Sequence, residues 1–371
     1  MKIPIIATSL VKFGDLWDKS INDLIRGAGK RVLEDAGIKP NDIDSLFIAN
    51  EFSSNATGQS MLNSIAFEEL GISNVVCVRV GDASGAAVIK EAANSILAGQ
   101  SKIVMVLGVE KLTDLKTNEM LASSSSLISQ EESFIGATVQ SQFALITRKY
   151  LHKFKLKSRD LSFIPAMNHK NALDNEYAQY QFELSEEKIN SSPLSADPIR
   201  MLECASYCDG CAALIMCDEE TARKKFANIN KRYLLASSLK NDFLSLSKRK
   251  SIVTIESSMK AAQEAYKAAR IKPGVIDIME IHDIVPISEI LAIEDLGFAK
   301  KGEGIKFIKA NYKKINCSGG LKGCGHAIGA TGIRQAISVI DKLKESNMKY
   351  GLTHTLGGTG SVSVVNVFCS G

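Results

Sequence analysis

A segment of this chain occurs twice, and the repeat restricts the possible folds more than any other feature. Ala36-Gly37-Ile38-Lys39-Pro40-Asn41-Asp42-Ile43-Asp44-Ser45-Leu46-Phe47-Ile48 is echoed by Ala269-Arg270-Ile271-Lys272-Pro273-Gly274-Val275-Ile276-Asp277-Ile278-Met279-Glu280-Ile281. In both, Ile-Lys-Pro stops a helix, because the residue before proline is driven out of the helical region, and Ile-Asp leads into a strand. A second echo pairs Gly85-Ala86-Ala87-Val88-Ile89-Lys90-Glu91-Ala92 with Gly329-Ala330-Thr331-Gly332-Ile333-Arg334-Gln335-Ala336 at a similar offset. A whole half-molecule is therefore duplicated, and two βαβ-rich halves facing each other give an α/β fold. The halves are expected at 1–240 and 241–371.

Periodicity fills in the elements. The first half reads as strand 3–9, helix 20–36, strand 45–49, helix 59–70, strand 75–80, helix 84–98 and strand 102–108. Residues 112–205 form a long polar excursion with one helix near 137–153, the kind of segment that shapes a substrate site. The second half resumes with strand 211–217, helix 253–269, strand 276–281, helices 287–296 and 326–345, and a hairpin of 350–356 with 361–368.

Composition excludes several classes. Apolar residues make up 45% of the 371, enough for a large core. A formal charge of +4, spread along the chain, is not a nucleic-acid surface but suits an anionic ligand such as coenzyme A. No apolar run is long enough to span a bilayer, and the opening residues read as a strand and not as a signal peptide. Eight cysteines in this length fit a reducing cytoplasm better than a disulfide scaffold. Cys204, Cys208 and Cys211 have iron–sulfur-like spacing but run into an apolar strand, and small buried residues are the expected reading.

The chemistry gathers at Asp82, where the apolar run Val75–Val80 turns through Gly81 into a helix. A helix amino end favours negative charge, so a cysteine there would be an activated thiolate. An aspartate is a stable carboxylate and a poor acyl acceptor, and its bland role is to cap the helix at Ser84 or Gly85. Claisen-type chemistry on a thioester needs a base and donors aimed at developing oxyanions. His282 at a strand end and His326 in a glycine-rich loop are placed to supply them.

Five blocks in order now carry a resemblance. They are Gly108-Val109-Glu110-Lys111, Asn168-His169-Lys170-Asn171, Ile281-His282-Asp283, Asn316 through Gly332 around Gly325-His326, and Gly357-Gly358-Thr359-Gly360. Over nearly its full length the chain resembles the thiolases, nearest the archaeal acetyl-CoA acetyltransferases and the sterol-carrier-protein type. The resemblance implies two central sheets sandwiched by helices in five layers (αβαβα), with a loop domain. It implies acyl-CoA as substrate, no covalently bound cofactor, a homodimer or dimer of dimers, and a small OB-fold partner that binds CoA. It implies that Asp82 stands at the nucleophile position and that His326 activates the nucleophile. His282 would serve a second oxyanion hole, and His354 would stand where relatives keep an acid/base residue. Gly358 would lend an N–H to an oxyanion hole, and His169 would touch the pantetheine end or support the site.

The departures are as informative. Asp82 replaces the nucleophilic cysteine, Ile284 replaces a cysteine found after His-Asp, and Ala327 replaces the proline of Gly-His-Pro. Among the other thiols, Cys317 and Cys324 flank His326, and Cys77 lies in a strand. Four readings follow: acyl transfer with a compensating residue, a retro-aldolase or decarboxylase lyase without a covalent intermediate, a silent CoA-binding scaffold, and an engineered Asp82 in an ordinary thiolase.

Overall fold

A computed structural model describes every residue except 1, 230 and 346. The principal elements of the first half are β1 (Ile3–Gly14), α1 (Ile21–Ala36), β2 (Ser45–Ala49), α2 (Leu62–Leu70), β3 (Val75–Val78), α3 (Ser84–Leu97) and β4 (Ile103–Glu110). The excursion carries α4 (Val139–Phe154) and α5 (Phe163–Asn171), and β5 (Asp209–Cys217) follows it. Then come β6 (Arg232–Asn241), α6 (Glu256–Ala269), β7 (Ile278–Ile281), α7 (Pro286–Asp295), α8 (Gly304–Asn311), α9 (Ile328–Glu345), β8 (Tyr350–Gly357) and β9 (Val362–Ser370).

The repeat predicted from sequence is visible in the backbone. Gly37 ends α1 in the left-handed region (φ 67°), with Gly37 N–H donating to Glu34 and Ile38 N–H to Leu33. Arg270 ends α6 the same way (φ 58°), with bonds to Lys267 and from Ile271 to Tyr266. A paired return to the last helical turn is the Schellman stop, which glycine adopts freely and arginine only at a cost.

The strands form one mixed sheet in the order β3-β2-β4-β5-β1-β6-β9-β8-β7. Its two halves join where β1 meets β6, at Ile3 with Leu234, Pro4 with Tyr233 and Ile5 with Arg232. So the two expected sheets are fused along their first strands. Each half has the order third-second-fourth-fifth-first, and the third strand of the second half survives as a single bridge between Met279 and Ile315.

Helices α1 and α2 cover the outer face of the first half, and α6 and α7 cover that of the second. Between the halves lie α3 and α9. They pack so closely that a Cβ on Gly85 would lie 2.6 Å from the Gly329 carbonyl, and one on Gly332 2.2 Å from the Ala86 nitrogen. The second sequence echo is this shared helix contact. Glu110 ties the halves together at its edge, accepting from the N–H groups of Glu51, Phe52 and Gly329. Burial pushes its pKa up to about 7 against the pull of those donors.

Sequence reading missed β6 and α8. In β6 every second residue is buried, but Arg232, Ala236 and Ser238 occupy inward positions and blur the apolar alternation. In α8 only Gly304, Ile305 and Ile308 face the core. No described helix is long and apolar enough to cross a membrane.

Candidate active site

Both halves contribute to one buried cluster. Asp82 arrives on the turn between β3 and α3, where Gly81 takes φ 59° and the Ser84 hydroxyl donates to the Gly81 carbonyl. The capping role expected for Asp82 is not what the structure holds. Ala83 is the N-cap of α3 with no side-chain bond, and the Asp82 carboxylate reaches across to the other half. Its Oδ2 accepts the Gly358 N–H at 2.8 Å, and its Oδ1 lies 3.2 Å from His326 Nε2. The N–H that the resemblance assigned to an oxyanion hole is thus taken by the carboxylate. Gly358 has φ 56°, and a Cβ there would meet the Leu127 carbonyl at 2.4 Å, so the position requires glycine.

His326 is fixed from three sides. Its backbone N–H donates to Ser206 and its carbonyl accepts from Cys208, which locks it beside Tyr207. Its Nδ1 lies 2.8 Å from the Thr331 hydroxyl, which itself donates to the Ala327 carbonyl. A Thr331 hydroxyl that donates to Ala327 can accept from an Nδ1–H, the tautomer that leaves Nε2 as an acceptor facing Asp82. Nε2 faces Asp82 Oδ1 at hydrogen-bond distance, the geometry of an acid/base pair.

His282 comes from the end of β7 and presents its ring edge to His326 at 5.3 Å. Neither of its ring nitrogens has a partner among the described residues. Burial, then the neighbouring His326, His354 and Arg334, holds its pKa well below the usual value, so it is neutral. His354, on β8, is anchored through Nε2 to Ser258 at 2.9 Å, while its Nδ1 has no partner among the described residues. Burial lowers its pKa to about 3. Asp82, His282, His326 and His354 are each 0% exposed, which is why unpartnered nitrogens among them are chemically conspicuous.

Asp283 sets the neighbouring loop, accepting from the N–H groups of Leu321 and Lys322 and from Asn168 of α5. The structure does not bring His169 into this cluster. Its Nδ1 pairs with the Phe182 carbonyl, and its ring packs against Tyr180 and Phe182, with a pKa lowered to about 4 by burial and Lys322.

None of the cysteines considered as stand-ins faces His326. The Cys324 thiol donates to the Ser318 carbonyl, the Cys317 thiol donates to Lys313, and Cys77 is exposed on edge strand β3. Cys204, Cys208 and Cys211 pack into three different apolar clusters, and no described side chains converge as a metal site. Sequence reading missed Thr331, Ser258 and Tyr207. Tyr207 stacks on His326 at 5.6 Å with its hydroxyl buried and without a partner among the described residues.

Comparison with known proteins agrees with this architecture. Residues 3–220 match the thiolase N-terminal domain and residues 239–370 the thiolase C-terminal domain-like family. The acetyl-CoA acetyltransferase of Methanocaldococcus jannaschii is 35% identical over 386 residues, covering 98% of both chains. Human sterol carrier protein 2 is 27% identical over 383 residues, covering 96% of this chain and 69% of that protein. Among solved structures, the Ltp2-ChsH2(DUF35) aldolase superposes with a TM-score of 0.81 at 19% identity, covering 98% of this chain and 97% of that one. The fold, the order of the blocks and a relative at 35% identity along almost the whole length agree, and the chain belongs to the thiolase family.

Proposed function

We propose that this protein is an acyl-CoA lyase that cleaves or forms a carbon–carbon bond without a covalent acyl-enzyme. The observation that carries this reading is the pairing of Asp82 Oδ1 with His326 Nε2 at 3.2 Å, with a carboxylate and not a thiol facing the imidazole. A thiolase half-reaction needs a nucleophile at the amino end of α3. A carboxylate there, held by the Gly358 N–H and by the imidazole, serves as base and not as acyl acceptor. For a 3-hydroxyacyl-CoA, the Asp82–His326 pair removes the proton from the β-hydroxyl. The Cα–Cβ bond then breaks, a ketone or aldehyde departs, and the electron pair passes to the thioester as an enolate. The pair returns the proton to the α-carbon, giving the shortened acyl-CoA. His282 and His354 are neutral and offer free nitrogens toward the reacting oxygens. A decarboxylation would use the same enolate. The aldolase named among the structural neighbours fits this chemistry, and coenzyme A enters only as substrate.

The direct test incubates purified protein with 3-hydroxyacyl-CoA, and separately with acetoacetyl-CoA and free CoA. Cleavage to a carbonyl compound and acyl-CoA is expected in the first and no thiolysis in the second. Thiolysis by the natural chain would overturn the reading and return the protein to acyl transfer.

The complete burial of Asp82, His282, His326 and His354 favours a second reading, a non-catalytic subunit that binds CoA or a partner. Absence of turnover with every thioester, with CoA binding retained, would select it. A small OB-fold CoA-binding partner is the protein partner we infer, and a reducing cytoplasm is the setting that eight free cysteines fit.

We also infer a homodimer, alone or paired as a dimer of dimers, built by antiparallel pairing of β3 across a two-fold axis. β3 is a sheet edge with Val76 43% exposed, and on the neighbouring segment Met61 and Phe67 are 58% and 49% exposed. An exposed apolar edge invites strand pairing, and a charge on it opposes pairing. Val76→Lys is expected to sediment as a monomer where the natural chain sediments as a dimer. An unchanged sedimentation coefficient would place the contact elsewhere.

A further inference from the structure

Tyr207 is a phenol whose hydroxyl is shut away from solvent and has no partner among the described residues. Buried tyrosine hydroxyls nearly always find one. The chain holds this residue with care. A parallel bridge to His326, made by His326 N–H to Ser206 and Cys208 N–H to the His326 carbonyl, fixes its backbone. The ring then stacks on the imidazole at 5.6 Å and 26°. Around the same imidazole lie both free nitrogens of His282 and the edge-on ring contact at 5.3 Å. Several buried polar groups without partners among the described residues thus gather around one acid/base pair, each able to engage a polar ligand. Tyr207 also stays protonated, because burial and then the Asp82 charge push its phenol above the usual range. It is a donor and not a base.

We propose that Tyr207 donates a hydrogen bond from its hydroxyl to the thioester oxygen of the substrate, and so stabilises the enolate that forms when the carbon–carbon bond breaks. The proposal rests on the lyase reading above. No proton leaves Tyr207 in this step: the negative charge forms on the substrate oxygen, and the phenol O–H points to it. Its place beside His326 puts the oxyanion donor and the acid/base pair on the same reacting thioester.

The test uses Tyr207→Phe, which keeps the ring on His326 and removes only the hydroxyl. With 3-hydroxyacyl-CoA, kcat is expected to fall by about 100-fold with little change in KM, the size of one oxyanion donor. A second readout does not depend on turnover. Carboxymethyl-CoA carries a carboxylate on the carbon next to the one that bears the thioester oxygen, one bond from where the enolate oxygen forms, and plain CoA carries none. Tyr207→Phe should bind carboxymethyl-CoA roughly 100-fold more weakly and CoA as tightly as the natural chain does. A natural chain that cleaves nothing, yet discriminates the two ligands through Tyr207, sinks the lyase reading and leaves the donor in place. Equal binding of carboxymethyl-CoA by both proteins overturns the proposal. So does a natural chain that binds neither ligand, whatever it cleaves. A purely packing role for Tyr207 predicts no change in any of these measurements.

Discussion

Asp82→Asn is expected to slow carbon–carbon cleavage by roughly 10²- to 10⁴-fold, the range for one general acid/base group, with KM nearly unchanged. The amide has the shape of the carboxylate, and its oxygen can still accept the Gly358 N–H now bound by Asp82. What it loses is proton exchange. In the natural chain His326 Nε2 and the Asp82 carboxylate lie within hydrogen-bond reach, so a proton can pass between them. An asparagine donating from its amide locks Nε2 as a bare acceptor, and the pair no longer cycles. Asp82→Cys tests the same position from the other side. A thiol at the start of α3, facing His326, has the setting that activates cysteine nucleophiles. The cysteine variant should become covalently acetylated by acetyl-CoA, seen by intact mass, whereas the natural chain should not. Full cleavage activity in Asp82→Asn, or acetylation of the natural chain, would show that another residue does this work.

The positions of these groups were largely readable in the sequence, and their partnerships were not. Asp82, His282 and His326 sit where strands end or glycine-rich turns begin, and those junctions announce themselves through turn residues and periodicity. His354 differs, lying inside β8 and opposite Val365. The bond from Asp82 to Gly358 spans two halves that only the fold brings together, and the local rule for aspartate before a helix predicted a cap instead. His169 shows how a block's place leaves its side chain's direction open. Its block is in place, but α5 directs the ring into Tyr180 and Phe182. Tyr207 had no signal of its own, since the cysteines around it drew attention and a lone aromatic before a strand is ordinary core. The duplication was legible because helix stops are local, chemically specific events. The strand β6 was not, because its inward face carries arginine, alanine and serine.

The largest stability effect is expected from Asp209, the first residue of β5 and only two positions beyond Tyr207. Its carboxylate is 0% exposed and collects donors from two segments, the loops after β1 and after β4. Leu16 N–H and Lys111 Nζ reach Oδ2 at 3.1 and 2.8 Å, and the Thr113 hydroxyl does so at 2.6 Å. Leu112 and Thr113 N–H reach Oδ1 at 2.7 and 3.0 Å. Lys111 is itself 2% exposed, so removing the carboxylate strands a buried ammonium with Asp114, which is 43% exposed, as its remaining anion. Breaking one side of such a pair costs about 3–5 kcal/mol, and Asp209→Ala should lose that much in urea unfolding at pH 7. Burial raises the Asp209 pKa, but the bonds from Lys111 and Thr113 outweigh it and hold the group below its ordinary value. A depressed folded pKa gives stability that is present above the unfolded value, about 3.9, and is lost as pH falls through the folded one. The gap between natural chain and variant should therefore stay level from neutral pH down to about 4 and narrow only below that. A loss under about 1 kcal/mol, the scale of an exposed pair, would mean that Lys111 finds other partners. Because the turn that Asp209 anchors leads directly out of Tyr207 and the strand bridge to His326, the same variant should also loosen the site. Its cleavage rate should fall even at temperatures where it remains folded.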